Sequence, residues 1–198
     1  AQVDTQRPTL GSYLANVGKV RLRGVEFETT LAPVPGLTFN FNGAYNDAKY
    51  LSYDNAPAPT EYQAYLATVQ GVAARSTTLS LTGYQVIGVP KWTANATANL
   101  DRPVSSAVNV TGYLNLSWRS RAALINPRSQ LGWQDAFAVI NGGFGFKAPD
   151  GSWSANIWAK NLFNKDYAIA YSAPSAVTPL LKYYGEPRTF GLTLAKAF

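Results

Sequence analysis

The stretch KWTANATANLD, residues 91–101, decides the fold class. Its even positions are Trp92, Ala94, Ala96, Ala98 and Leu100, and its odd positions are Lys91, Thr93, Asn95, Thr97, Asn99 and Asp101. Complete separation of apolar from polar side chains at period two describes a β-strand with one dry face and one wet face. Ala107 to Arg119 repeats the pattern, with Val108, Val110, Gly112, Leu114, Leu116 and Trp118 opposite Asn109, Thr111, Tyr113, Asn115 and Ser117. Leu37 to Tyr50, Trp153 to Phe163 and Arg188 to Phe198 alternate in the same way, whereas in Asp135 to Lys147 the alternation is weakened by Phe137 and Val139. The first segment, Val17 to Leu31, changes phase midway, since Val20 and Leu22 are even but Val25, Phe27 and Leu31 are odd. That phase change predicts a β-bulge near Gly24. It would leave Lys19, Arg21 and Arg23 as a basic stripe on the wet face, with Glu26 and Glu28 farther along the same face.

The connections between these seven segments alternate in length. Residues 32–36, 102–106 and 148–152 make short turns, while residues 51–90, 120–134 and 164–187 make long loops. Strands of about ten residues, with tight turns at one end and long loops at the other, are the pattern of an outer-membrane barrel with periplasmic turns and extracellular loops. Aromatic placement agrees: Trp92, Trp118, Phe163 and Phe190 fall at the looped ends of their strands, and Phe146, Trp153 and Phe198 at the turned ends. Two belts of aromatics on the apolar face are what a membrane-spanning band requires at its interfaces. The expected fold is therefore all-β, an antiparallel transmembrane β-barrel. A soluble β-sandwich shows the same alternation. It offers no reason for the belts, and Ala94, Ala96 and Ala98 in a row would build a thin core.

Composition narrows the chemistry. The 198 residues carry a net charge of +6, with 17 basic and 11 acidic side chains, and contain neither Cys nor His. The commonest general base, the thiolate nucleophile and the usual soft or imidazole metal ligands are thus all absent. No catalytic residue, metal site or cofactor is expected, and the chain does not read as an enzyme. Charged residues make up only 14% of the chain against 13% aromatic, sparse for a surface facing water alone. The basic residues are scattered rather than gathered with stacking aromatics, which argues against nucleic acid.

Four segments resemble one known family, the TonB-dependent receptors. GEPRTF at 185–190, leading into a strand that ends in Phe198, resembles their final strand. NLFNKDY at 161–167 resembles their penultimate NLFDKxY element, with Asn164 where Asp is usual. Tyr13 to Glu28 resembles a strand of pattern G-x-E-x-E, and AYNDAKY at 44–50 completes the set. The resemblance implies a barrel of about 22 strands with a plugged lumen, of which residues 1–198 would be the last seven strands. It also implies substrate-specific import across the bacterial outer membrane, energised by the TonB complex through an N-terminal region that this sequence lacks. The default substrate of the family is a ferric siderophore. A passive porin or adhesin barrel would share the alternation but lack the combined NLFNKDY and GEPR elements.

An odd strand number leaves an open edge, which lipid does not tolerate, so the remaining strands and the plug are expected from elsewhere. The C-terminus then lies in the periplasm and the long loops outside. Expected partners are outer-membrane lipid, the TonB complex, a small-molecule ligand, and the barrel-assembly machinery, for which Phe198 is the signal candidate. By parity, Tyr50, Arg119, Trp158 and Lys160 face the lumen near the looped end and are candidate ligand contacts. Internal ion pairing is the competing use for the charged members. The loop residues Tyr167, Tyr171, Tyr183 and Tyr184 could stack on a ligand.

Overall fold

Period-two segments can dry their apolar sides only by pairing in register, so that every apolar face points the same way. The computed structural model, which describes residues 2–7, 11–16, 18–71, 78–172 and 179–197, has this arrangement. A hairpin of β1 (Gln2–Arg7) and β2 (Gly11–Asn16) precedes the long pair β3 (Lys19–Val34) and β4 (Leu37–Ser52). Short strands β5 (Ala56–Pro57) and β6 (Thr78–Leu79) flank helix α1 (Thr60–Gln70). Strands β7 (Trp92–Pro103) and β8 (Asn109–Arg119) follow, then the small pair β9 (Ala122–Ala123) and β10 (Trp133–Gln134). The chain ends with β11 (Phe137–Lys147), β12 (Trp153–Lys160), the hairpin β13 (Ala168–Ser172) and β14 (Leu181–Tyr184), and β15 (Thr189–Lys196).

All seven strands expected from the alternation are present, and they form one antiparallel sheet in the order β15-β12-β11-β8-β7-β4-β3. Each long strand therefore lies beside its sequence neighbour. Register makes one face apolar across the full width: Leu31, Phe39, Ala98, Leu114, Gly142, Ala159 and Phe190 form a single row of cross-strand partners. The opposite face carries the row Thr30, Asn40, Thr97, Asn115 and Asn141. There the Thr30 hydroxyl donates to Asn40 Oδ1 at 2.9 Å and the Asn115 amide donates to Thr97 Oγ1 at 2.9 Å. Parallel contacts join Asn95 to Asn42 at 3.0 Å and Thr111 to Asn156 at 3.1 Å. The wet face is thus an amide- and hydroxyl-rich wall, largely uncharged.

The short turn at the other end explains itself locally. Pro35 and Gly36 sit between partners Val34 and Leu37, and Gly36 has φ +78°. Proline followed by a positive-φ glycine is the type II turn combination. Aromatics then fix register from within the strands. The Phe27 ring covers Gly43 on the apolar face, while Tyr113 covers Gly143 and Trp158 covers Gly191 on the polar one. A Cβ on any of these three glycines would come within 2.5–2.6 Å of a ring carbon. Each glycine is a slot into which a neighbour's ring lies flat.

Two expectations are corrected. No bulge occurs at Gly24, which pairs with Asn46 inside an unbroken register from Val20 to Leu31; the irregularities lie at Lys19/Val20 and Leu31/Val34. Arg21 and Arg23 therefore share the apolar face with Val25 and Phe27, Lys19 lies beyond the first irregularity, and Glu26 and Glu28 keep the polar face. The apolar Val20 on the polar face is explained by packing, since it contacts a buried cluster of Tyr50, Tyr53, Ala56, Ala58, Leu79 and Leu81. Phe163 is the second correction. Strand β12 stops at Lys160 and Phe163 lies in the following turn, 72% exposed. Asn161 ends the strand by adopting φ +46°. Phe198 lies outside the described residues.

The region read as loop from 51 to 90 contains local structure: the β5/β6 pair, α1 with Gly71 closing it at φ +65°, and the cluster just named. It is tied to residues 120–134 by Asn126 Nδ2 donating to the Pro57 carbonyl at 2.7 Å, the Gln130 N–H to Glu61 Oε1 at 3.1 Å and the Gly88 N–H to the Ala123 carbonyl at 2.8 Å. Two adjacent long loops thus pack as one body.

Candidate binding site at the looped end of the sheet

The four residues singled out by parity all lie toward the looped end, but in different surroundings. Tyr50 is only 4% exposed, tilted against Tyr53 at a ring separation of 5.2 Å within the loop cluster. Its side chain supports the loop rather than facing open space. Arg119 is held on both sides: Nη2 donates to the Ala168 carbonyl at 3.0 Å and the guanidinium lies 4.5 Å over the Phe137 ring. Phe137 in turn stacks on Tyr167 at 4.5 Å. Lys160 stands 3.9 Å from Glu186 with both side chains more than half exposed, a pairing that contributes little. Trp158 covers Gly191 and donates its indole N–H to Thr193 Oγ1 at 3.1 Å. Trp158 and Lys160 face the polar side of β12, and of the four Lys160 alone presents an exposed charge.

Around these lie further cations in aromatic surroundings. Arg121 lies 4.4 Å over Trp133 and 3.3 Å from Asp135, and Arg128 approaches the Tyr84 ring at 5.8 Å. Lys182 lies between Tyr184 at 4.7 Å and Tyr171 at 6.0 Å. Tyr183 on the same hairpin is exposed. This end of the sheet is thus rich in Arg, Lys and exposed tyrosine, a combination suited to binding anions that also offer a flat face.

Beneath it the two sequence elements that resemble the family meet as one structure. Asn161, 3% exposed, accepts the Lys165 N–H at 2.8 Å through Oδ1 and donates through Nδ2 to the carbonyls of Lys165 and Glu186, both at 3.0 Å. Its own N–H donates to Asn141 Oδ1 at 2.9 Å, joining the polar row of the sheet to the turn. Asn164, at φ +49°, accepts the Arg188 N–H at 3.0 Å. Tyr167 covers Gly185, and its carbonyl accepts the Gly185 N–H at 2.9 Å. NLFNKDY and GEPR are therefore two halves of a latch that fixes how β15 joins β12. Sequence reasoning used them as markers and missed the contact. The signal was present in two asparagines three residues apart, since Asn is the non-glycine residue that best tolerates positive φ while its amide bonds nearby backbone.

An exposed apolar sheet face, an amide- and hydroxyl-rich polar face and a basic, aromatic looped end together describe a segment of a membrane β-barrel receptor. Comparison with known families agrees: residues 1–162 match the family described as TonB dependent receptor-like, beta-barrel. The chain belongs to the TonB-dependent receptor β-barrel family.

Solved structures share that fold. The ferric yersiniabactin uptake receptor FyuA from Yersinia pestis is similar over 91% of this chain and 24% of its own, with TM-score 0.67 and 18% identity. The siderophore receptor PiuA from Acinetobacter baumannii is similar over 98% and 24%, with TM-score 0.66 and 15% identity. BauA, the ferric preacinetobactin receptor of the same organism, is similar over 98% and 25%, with TM-score 0.60 and 18% identity. The chain thus spans about a quarter of the length of these structures. No curated protein matches by sequence.

Proposed function

We propose that these residues are the C-terminal part of the barrel domain of an outer-membrane importer that takes up a ferric siderophore or a similar scarce nutrient, driven by the TonB complex. The observation that carries the reading is the pairing of family membership with a looped end where Arg121, Arg128 and Lys182 stand among tyrosines and tryptophan and Lys160 is exposed nearby. An anionic chelate with aromatic groups complements that surface. In this reading the apolar face lies in lipid, the long loops are extracellular and the tight turns periplasmic. Trp92, Trp118, Trp153 and Phe190 are interface aromatics, while Phe198 carries the barrel-assembly signal. Lys160 and Trp158 line the path inward. Arg119 and Tyr50 hold loops in place, and their loss acts through loop order.

Uptake of labelled ferric chelates by cells expressing the full-length protein tests this. Uptake is expected to saturate and to vanish when TonB is deleted. Accumulation unaffected by TonB, in proportion to external concentration, would instead identify a passive pore.

A further inference from the structure

The unbroken register of β3 on β4 places a basic cluster where the sequence did not put it. On the apolar face, Val25 pairs with Tyr45, and Tyr45 with Trp92, the two rings lying 4.7 Å apart. Continuing toward the looped end on that same face, the next partners are Arg23 with Asp47, then Arg21 with Lys49. Asp47 is shared: Arg21 Nη2 lies 2.8 Å from one oxygen and Lys49 Nζ 3.2 Å from the other. One carboxylate is thus shared by Arg21 and Lys49 and lies opposite Arg23, and among the described residues Arg23 has no ion-pair partner.

Height decides what such a cluster can meet. Two residues of strand rise about 6.7 Å, or about 5 Å along the membrane normal at a barrel tilt near 40°. Arg23 therefore sits about 5 Å, and Lys49 about 10 Å, beyond the Tyr45–Trp92 level. The headgroup layer is about 5–8 Å thick on each side of the hydrocarbon. Long cationic side chains starting there reach headgroups without entering the acyl region. Resting on the membrane placement proposed above, we infer that Arg21, Arg23 and Lys49 form a docking site for the phosphate of an anionic lipid headgroup in the outer leaflet. The cluster is continuous with the apolar band, so the lipid's acyl chains lie against Val25, Phe27 and Phe41 while its phosphate meets the cations.

The test uses full-length protein in detergent, titrated with a phosphatidic acid, with the matching diacylglycerol, and with inorganic phosphate, bound lipid being read by native mass spectrometry. A double variant, Arg23→Glu with Lys49→Glu, leaves the Arg21–Asp47 pair in place. Lys165→Glu, exposed in the 161–165 turn, is the charge control. Phosphatidic acid is expected to bind and diacylglycerol and free phosphate not to. The double variant should lose at least about tenfold in affinity, given a loss of about fivefold per cation, and Lys165→Glu should match wild type. Equal binding of diacylglycerol, equal binding of free phosphate, or an unaffected double variant would overturn the site. Quenching of Trp92 by brominated lipid, measured on the same samples against Trp92→Phe, separates the two levels. Quenching without phosphate dependence removes this site alone, and no quenching removes the membrane placement with it.

Discussion

At the residue scale, Asn161 is the side chain on which most depends. It is buried and makes four hydrogen bonds that join β12, the 161–165 turn and the approach to β15. Asn161→Ala leaves the Glu186 and Lys165 carbonyls and the Lys165 N–H without that partner and places alanine at positive φ. Each unmet buried group costs about 1–3 kcal/mol, so a loss of at least about 2 kcal/mol is expected, read as a lower urea midpoint of the full-length protein. Asn164→Asp should be nearly neutral in the same measurement, since aspartate tolerates positive φ and still accepts the Arg188 N–H. In the sequence, both asparagines are recognisable as marks of a family. Their role is not, because it depends on Glu186 and Arg188 arriving from more than twenty residues away. Tyr50 shows the opposite failing: parity placed it on the right face, but parity carries no information about a loop folding over it.

At the element scale, alternation proved the strongest guide wherever a strand had one dry and one wet face. It located β4, β7, β8, β11, β12 and β15 to within a few residues at their ends. It failed in β3, where Val20 is apolar because loop residues cover it, and phase alone cannot distinguish a covered residue from a bulge. Helix α1 was invisible for a related reason: residues 60–70 show no amphipathic stripe, and only Leu66 among them is buried. The aromatic-over-glycine pairs were equally illegible, since each needs a cross-strand partner. They make a direct prediction. Gly191→Val should force Trp158 out of its slot, at a cost of about 1–3 kcal/mol, visible as a shifted tryptophan emission and a lower unfolding midpoint. Pairing it with Trp158→Ala should restore part of the loss, because the ring that clashes is then gone.

The turn at 148–152 adds a pH effect. The Ser152 N–H donates to Asp150 Oδ1 at 2.9 Å and, with the Ser152 hydroxyl, holds the Asp150 carboxyl below the usual carboxylate range. A depressed folded pKa means the stabilisation is complete above the unfolded value of about 3.9 and is lost as pH falls through the folded one. Asp150→Asn should therefore flatten the acid limb of the stability profile below about pH 4, and an unchanged limb would show that the turn does not contribute.

At the scale of the whole molecule, the main sheet has two faces and, beyond the loop clusters, no second layer among the described residues. Val25, Phe27, Ile157, Phe190, Leu192 and Leu194 are all more than half exposed on one side, a patch far beyond what water tolerates on a lone domain. The alternation alone left a soluble sandwich open. An exposed apolar row running across seven strands does not, because a sandwich would bury that row under a second sheet. No helix among the described residues is long and apolar enough to cross a membrane, which is consistent with crossing by strands. The wet face is fitted to a water-filled or plugged interior, with Asn and Thr ladders where a soluble surface would carry charge. The arrangement of the looped end was not legible in the sequence, since its loops are ordered by contacts among themselves.

In the membrane placement proposed above, the apolar face meets lipid and the amide-rich face does not. Trp118 lies on the first and Trp158 on the second, so lipid-borne bromine quenching of the full-length protein in vesicles, taken as differences from Trp118→Phe and Trp158→Phe, tests it directly. The fold predicts strong quenching of Trp118 and little of Trp158. Equal quenching of both, or quenching of Trp158 alone, would contradict it.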